Sequence, residues 1–196
     1  MKDMTNIFLI IKTGCNLHPF LYPIFYVTLM NTLKYLAGYQ QPIQDQVSEL
    51  LANGKLKAVL LSRHPDIHAI RTDRALYDYT MEIKNQYLRK SQPLSKIQYD
   101  DKISLSHQAL GLHSFVSRVQ GRKTKAKNEI RISSRLKKVP EPLLRMVVVH
   151  ELAHLKEKDH NKAFYQLCCH MEADYHQLEF DLRLLLTLID ADVKVY

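Results

Sequence analysis

The spacing of apolar residues in the first half of the chain predicts three helices. Over residues 41–53, apolar side chains recur every three or four positions, as they do on one face of a helix. A second, short helix is expected over residues 55–63. The third, which Thr72 or Asp73 can cap, is expected to reach about residue 89.

Downstream of these helices the apolar pattern changes to a period of two, which predicts strands. Residues 96–99 and 102–105 alternate around two aspartates, which is typical of a hairpin. Residues 115–120 and 129–133 predict a second strand pair, joined by a polar loop. Helical spacing returns from residue 140. The sequence therefore predicts an α+β fold with N-terminal helices, a small antiparallel sheet and C-terminal helices.

Residues 1–29 form an apolar N-terminal extension. Lys12 and other polar residues interrupt its apolar run, and two prolines would break a spanning helix, so stable membrane insertion is not expected. Two interpretations stay open for this segment: a membrane or export role, or a native chain that starts at Met30. Residues 30–196 show no repeat and no linker, and they predict a single domain.

The charge of the chain is concentrated in one basic stretch, residues 118–138. It holds nine Lys or Arg residues and one acid, so its charge of +8 equals the net charge of all 196 residues. Such a stretch attracts phosphates, and a solvated hairpin is the structural alternative. The candidate substrate-binding residues in it are Arg118, Arg122, Lys123, Lys125, Lys127 and Arg131. Three cysteines cannot form a disulfide framework, so a cytoplasmic location is expected.

A possible metal site is encoded by His150, Glu151 and His154, which form an HExxH motif. On a helix the two histidines lie one turn apart on the same face, where both can bind one metal ion. Glu151 lies about 100° around the helix from His150. From there a carboxylate can take a proton from a metal-activated water. The motif therefore predicts a metal-dependent hydrolase.

A third metal ligand is expected at His160. A continuous helix would point this residue about 240° away from His154. The helix must therefore end near Glu157, and the chain must turn back. Asp159 can then cap a new helix that begins at His160. Two structural histidines bonded within a core are the alternative.

The segment that begins at Pro140 carries a family resemblance. It reads PEPLLRMVVVHELAHLKEKDHNKAFYQLCCHMEADYHQLEFDLRLLL and resembles the YgjP-like metal-dependent hydrolases, which are grouped with the zincin metallopeptidases. Most of the chain from Leu33 onward is similar to that family. The resemblance implies a zincin-like fold, with an edge strand at residues 129–133 lying over the active-site helix. It implies one Zn²⁺ per chain, held by His150, His154 and His160, with Glu151 as general base.

Three functions follow from these residues and from the resemblance. The favoured one is a zinc metallopeptidase, in which an extended peptide pairs with the edge strand. The alternative that the resemblance implies is a nucleoside triphosphate (UTP) pyrophosphatase, whose basic stretch binds phosphates and whose substrate could bring Mg²⁺. The third is a nucleic-acid-associated protein with a structural metal, which the lack of aromatic residues in the basic loop disfavours. Tyr175 and His176 are further candidates for contacting the substrate, and Tyr175 or Tyr165 could stabilise an oxyanion.

Overall fold

The computed structural model describes the backbone of residues 33–103, 111–120 and 123–196, and the side chains of residues 33–103 and 128–196. The apolar extension at residues 1–29 and the loop residue Arg122 lie outside the described residues. Within the described part of the chain, no helix is long and apolar enough to cross a membrane.

The three helices predicted in the first half of the chain are confirmed, with small shifts at their ends. A short 3-10 helix, Lys34–Leu36, is followed by α1 (Gln41–Ala52), α2 (Leu56–Arg63) and α3 (Asp73–Tyr87). Thr72 caps α3, because its hydroxyl oxygen accepts a hydrogen bond from the Ala75 backbone N–H at 3.2 Å. One face of each helix is buried in the core.

Three strands form one mixed sheet in the order β1–β3–β2. The strands are β1 (Leu94–Asp100), β2 (Gly111–Gln120) and β3 (Lys123–Ser133). β2 and β3 pair antiparallel, as predicted, whereas β1 pairs parallel with β3. The register aligns Ile97 with Ile130 and Tyr99 with Ile132, and all four side chains are buried. This buried face of the sheet packs toward the helices.

Two predictions about the sheet are wrong. Of the hairpin predicted between residues 96–99 and 102–105, the described residues 102 and 103 belong to no strand. The Asp100 side chain instead accepts a hydrogen bond from the Lys102 backbone N–H at 2.8 Å, which closes a turn after β1. Residues 104–105 lie outside the described residues. The strand expected at the edge, residues 129–133, lies in β3, the central strand, because β1 and β2 pair with its two sides.

Three further helices complete the fold. The 3-10 helix Ser134–Lys138 leads into α4 (Glu141–Ala153), which is followed by α5 (Lys162–Met171) and α6 (Tyr175–Asp190). α4 lies at the centre, in contact with α3, α5, α6 and strands β2 and β3. Nine of its 13 residues are buried. The polar side chains that α4 carries are therefore held in fixed surroundings.

Ion pairs fix the helices around α4. Nε of Arg145 on α4 lies 2.6 Å from Oε2 of Glu172, at the corner between α5 and α6. Asp181 on α6 is fully buried, and its carboxylate oxygens lie 2.8 Å from Nη1 of Arg63 and 2.8 Å from Nε2 of His64. Because a buried charge is costly unless it is paired, these contacts hold α2, α4 and α6 in place.

Candidate metal centre

α4 and the turn after it bring three histidines together. His150 lies within α4, and His154 is its C-terminal cap. The backbone N–H groups of residues 155–157 then bond to carbonyl groups of the last helical turn. The helix therefore ends before Glu157, as predicted, and the chain carries His160 back toward His150.

The helix after the turn begins two residues later than predicted. Asn161, rather than Asp159, is its cap: Oδ1 of Asn161 accepts a hydrogen bond from the Phe164 backbone N–H at 2.9 Å. His160 therefore lies just before α5 and not in its first turn. Asparagine and aspartate cap helices about equally well, so the sequence does not choose between these two positions.

The three imidazoles meet at their Nε2 atoms. Nε2 of His160 lies 3.1 Å from Nε2 of His150 and 3.2 Å from Nε2 of His154. The possible ligand atoms of the three residues all lie within 4.8 Å of one another. The ring of Phe164 packs against all three, with centroid distances between 4.7 and 4.9 Å. His160 is exposed and the other two are half-buried, so the cluster opens to solvent on one side.

Groups behind the cluster hold the Nδ1 atoms of two histidines. Nδ1 of His154 lies 3.0 Å from the carbonyl oxygen of Glu157, which can only accept, so this nitrogen carries the proton. Nδ1 of His150 lies 2.7 Å from the hydroxyl oxygen of Tyr175. The hydroxyl oxygen of Tyr175 can accept from an Nδ1–H group of His150 in the same way. Both Nε2 lone pairs then point into the cluster, as metal ligation requires.

Burial favours the neutral forms of His150, His154 and Tyr175. Burial, followed by the neighbouring His154 and His160, lowers the pKa of His150 to about 3. Burial also lowers the pKa of His154. Burial raises the pKa of Tyr175, so its hydroxyl keeps its proton at neutral pH. Neutral imidazole is the form that binds a metal ion.

The three imidazole groups suit a metal ion that prefers nitrogen ligands. Three imidazoles with one open side match the three-ligand arrangement of catalytic zinc sites. Glu151, which is 4% exposed, lies on α4 beside His150, as the motif predicts. Three histidines that could hold a metal ion and a buried carboxylate therefore lie within one short segment of the chain.

The two predicted substrate contacts on α6 have different surroundings. Tyr175 is 1% exposed, and its hydroxyl oxygen contacts Nδ1 of His150. His176 is exposed and its ring lies against Tyr165. No spacing rule links Tyr175 to His150. Phe164 was not predicted as part of the site, although it lies in the first turn of α5, only four residues after His160.

The basic stretch is only partly described. Nη1 of Arg131 lies 3.3 Å from Oδ2 of Asp100, and Nη2 lies 3.7 Å from Oε2 of Glu129, so two carboxylates compensate its charge. β2 carries Arg118 opposite Lys125 in β3. The basic residues whose side chains lie outside the description are Arg118, Arg122, Lys123, Lys125 and Lys127.

Comparison with known proteins places the chain in a family. The model of the YgjP-like family, a metallopeptidase domain, matches residues 60–184, which include the whole histidine cluster. A UTP pyrophosphatase of Escherichia coli (strain K12) is 58% identical over 158 residues, which cover 81% of this chain and 95% of the relative. No solved structure shows a significant match. The family match spans most of the chain and the relative is covered almost completely: the chain belongs to the YgjP-like family.

Proposed function

We propose that the chain is a metal-dependent nucleoside triphosphate pyrophosphatase that acts on UTP. The observation that carries the proposal is 58% identity to a protein named UTP pyrophosphatase, over 95% of the length of that relative. The histidine cluster with Glu151 and the +8 charge of the basic stretch support it. The metallopeptidase function that the HExxH motif favours becomes the second candidate, in reverse of the order suggested by the sequence.

We assign one zinc ion per chain to Nε2 of His150, His154 and His160. When bound, the ion supplies Lewis acidity to a phosphoryl oxygen and lowers the pKa of the attacking water. The histidines must be held in a fixed orientation to bind the ion. Tyr175 orients His150, and the carbonyl group of Glu157 orients His154. Mg²⁺ belongs to the substrate in this proposal, because it binds the oxygens of nucleoside triphosphates.

Glu151 acts as the general base. Water attacks the α-phosphorus, the bond from this phosphorus to the α–β bridging oxygen breaks, and UMP and pyrophosphate leave. The carboxylate of Glu151 accepts the proton that the water gives up and can return it to the leaving oxygen. Its burial on α4 supports this role, because a fixed carboxylate needs no reorganisation during the reaction.

The basic stretch binds the phosphates. Most of it lies in β2 and β3, and β2 contacts α4, the helix that carries His150. Positive charge is thus held on an element that contacts the helix of the metal centre. A triphosphate carries several negative charges, so this field raises its local concentration at the site.

A metallopeptidase is the second candidate because of the position of β2. Among the described strands, β2 has a neighbour on one side only, and it contacts α4. An extended peptide could add to such an edge. A helix with HExxH beside a sheet edge also supports the zincin-like fold, which we propose for a single domain of residues 30–196 in the cytoplasm. Nucleic acid is not favoured as a partner.

A substrate panel tests the proposal. Zinc-loaded protein is incubated with UTP, CTP, ATP and an unstructured peptide, and phosphorus NMR follows release of UMP and pyrophosphate. We expect turnover of UTP by the wild type and its loss in Glu151→Gln. Cleavage of the peptide without hydrolysis of any nucleotide would overturn the pyrophosphatase and favour the second candidate.

A further inference from the structure

A row of aromatic rings leads from the histidine cluster to the protein surface. The ring of Tyr165 lies 6.3 Å from that of His160, with an angle of 35° between the planes. The ring of His176 follows, 5.5 Å from Tyr165 at an angle of 37°. Both angles are far from perpendicular, so the rings turn partly toward one another's faces.

The local fold sets this row beside the metal centre. Tyr165 is the fourth residue of α5 and follows His160 by five positions, and His176 is the second residue of α6, directly after Tyr175. Both rings therefore lie near the start of a helix and close in sequence to a group of the metal centre. The row starts at a proposed metal ligand and ends in solvent.

The last ring of the row lies largely outside the core. The side chain of His176 is 62% exposed, whereas Tyr165 is half-buried and packs against the core. Since stabilisation by an apolar ring scales with the area it buries, His176 and the uncovered part of Tyr165 have surface left for a ligand. Glu179, the carboxylate near His176, bonds Nη2 of Arg183 at 2.6 Å, so its charge is compensated and does not repel phosphates.

We propose that Tyr165 and His176 form a stacking site for the pyrimidine base of the nucleoside triphosphate whose phosphates reach the metal centre. This inference rests on the proposed function and adds to it the group that holds the base. A pyrimidine is flat and neutral, and it stacks on aromatic side chains without needing a charged partner. One ligand then joins the two ends of the row, with phosphates at the histidine cluster and the base at its exposed end.

The test compares UTP with inorganic tripolyphosphate, which has the phosphates but no base. His176→Ala and Tyr165→Ala should each raise KM for UTP about 10-fold, as loss of a stacking ring does. The inhibition constant of tripolyphosphate, zinc content and kcat should stay near their wild-type values. Tyr165→Phe keeps the ring and should restore a nearly normal KM.

A second pair in the same protein provides a matched control. Tyr87 and His170 also lie 5.5 Å apart, but their rings meet at 83° and belong to α3 and the far end of α5. Tyr87→Ala and His170→Ala should leave KM for UTP unchanged. An unchanged KM in the Tyr165 and His176 variants, or an equal loss of UTP and tripolyphosphate binding, would overturn the stacking site.

Failure of the proposed function would be distinguishable. If wild-type protein does not hydrolyse UTP, the proposed pyrophosphatase function is wrong. Calorimetry with UTP on zinc-loaded protein still measures binding of the base in that case. Weaker UTP binding in Tyr165→Ala and His176→Ala, with tripolyphosphate binding unchanged, would support the stacking site. Equal UTP affinity in wild type and variants, or none in the wild type, would overturn it.

Discussion

The hydroxyl oxygen of Tyr175 lies 2.7 Å from Nδ1 of His150, on the side of the imidazole away from the histidine cluster. This contact joins the first residue of α6 to the last turn of α4. It fixes the ring orientation of His150, because it holds Nδ1 while Nε2 lies in the cluster. The contact therefore determines how well His150 can serve as a ligand.

Tyr175→Phe removes only this hydroxyl group. We expect zinc affinity to fall by about 10- to 100-fold, the usual effect of losing a group that orients a ligand, while the protein stays folded. Competition with a chromogenic chelator measures the affinity. Tyr99→Phe is the control: it removes another buried hydroxyl, which donates to the Ile70 carbonyl at 2.6 Å, and should leave zinc affinity unchanged.

Glu151→Gln separates metal binding from chemistry. We expect zinc content to stay at the wild-type value, because Glu151 is not a ligand in the proposed site. Turnover of UTP should fall by about 10²- to 10⁴-fold, since a positioned general base contributes that much. Metal analysis and initial rates give both quantities. Turnover close to the wild-type rate would remove Glu151 from the mechanism.

His160→Ala tests the third ligand. Wild-type protein should contain one zinc ion per chain, and the variant should lose it. At zinc concentrations about 1,000 times the Kd, binding adds about 4.1 kcal/mol to the free energy of unfolding of the wild type. This zinc-dependent gain in the free energy of unfolding should shrink sharply in His160→Ala. It should persist in His170→Ala, because His170 lies outside the cluster. Equal zinc content in the two variants would exclude His160 as a ligand.

Charge reversal tests the basic stretch. Replacing Arg122, Lys123, Lys125 and Lys127 with glutamate should raise KM for UTP far more than it lowers kcat, because these residues act on capture. Added salt should raise KM for the wild type and have less effect on the variant. Reversal of four exposed charges elsewhere controls for net charge: Lys55, Arg89, Lys90 and Lys102. If the two sets of substitutions had equal effects on KM, the basic stretch would act only through the net charge of the protein.

His68 predicts a pH dependence of stability. Its Nδ1 accepts from the Ile70 backbone N–H at 3.0 Å, and its Nε2 lies 2.7 Å from the Leu136 carbonyl oxygen. Burial lowers its pKa below the usual 6.5, so the unfolded chain takes up the proton first. The contribution of His68 to the free energy of unfolding should therefore have its full value above pH 6.5 and decrease as the pH drops toward the folded-state pKa. His68→Gln should flatten this slope in urea titrations between pH 7.5 and 5; an unchanged slope would contradict the assignment.

The sequence predicted those parts of the molecule that depend on local spacing. His150 and His154 follow from helical geometry, and the need for a turn before His160 follows from the same geometry. The parallel pairing of β1 with β3 could not be read in this way, because alternation of period two is the same for parallel and antiparallel neighbours. The contact between Tyr175 and His150 depends on how α6 packs on α4, which no spacing in the chain specifies.

The histidine cluster has a further consequence for how the protein folds. The three histidines lie between residues 150 and 160, whereas β1 and β3 join Leu94 to Asn128 and close a longer loop. Since the entropy lost on closing a loop grows with its length, the contacts of the cluster close at lower cost than the pairing of β1 with β3. A metal ion could therefore bind while β1 and β3 are still unpaired, and its capture would then act as a nucleus on which the rest of the chain condenses.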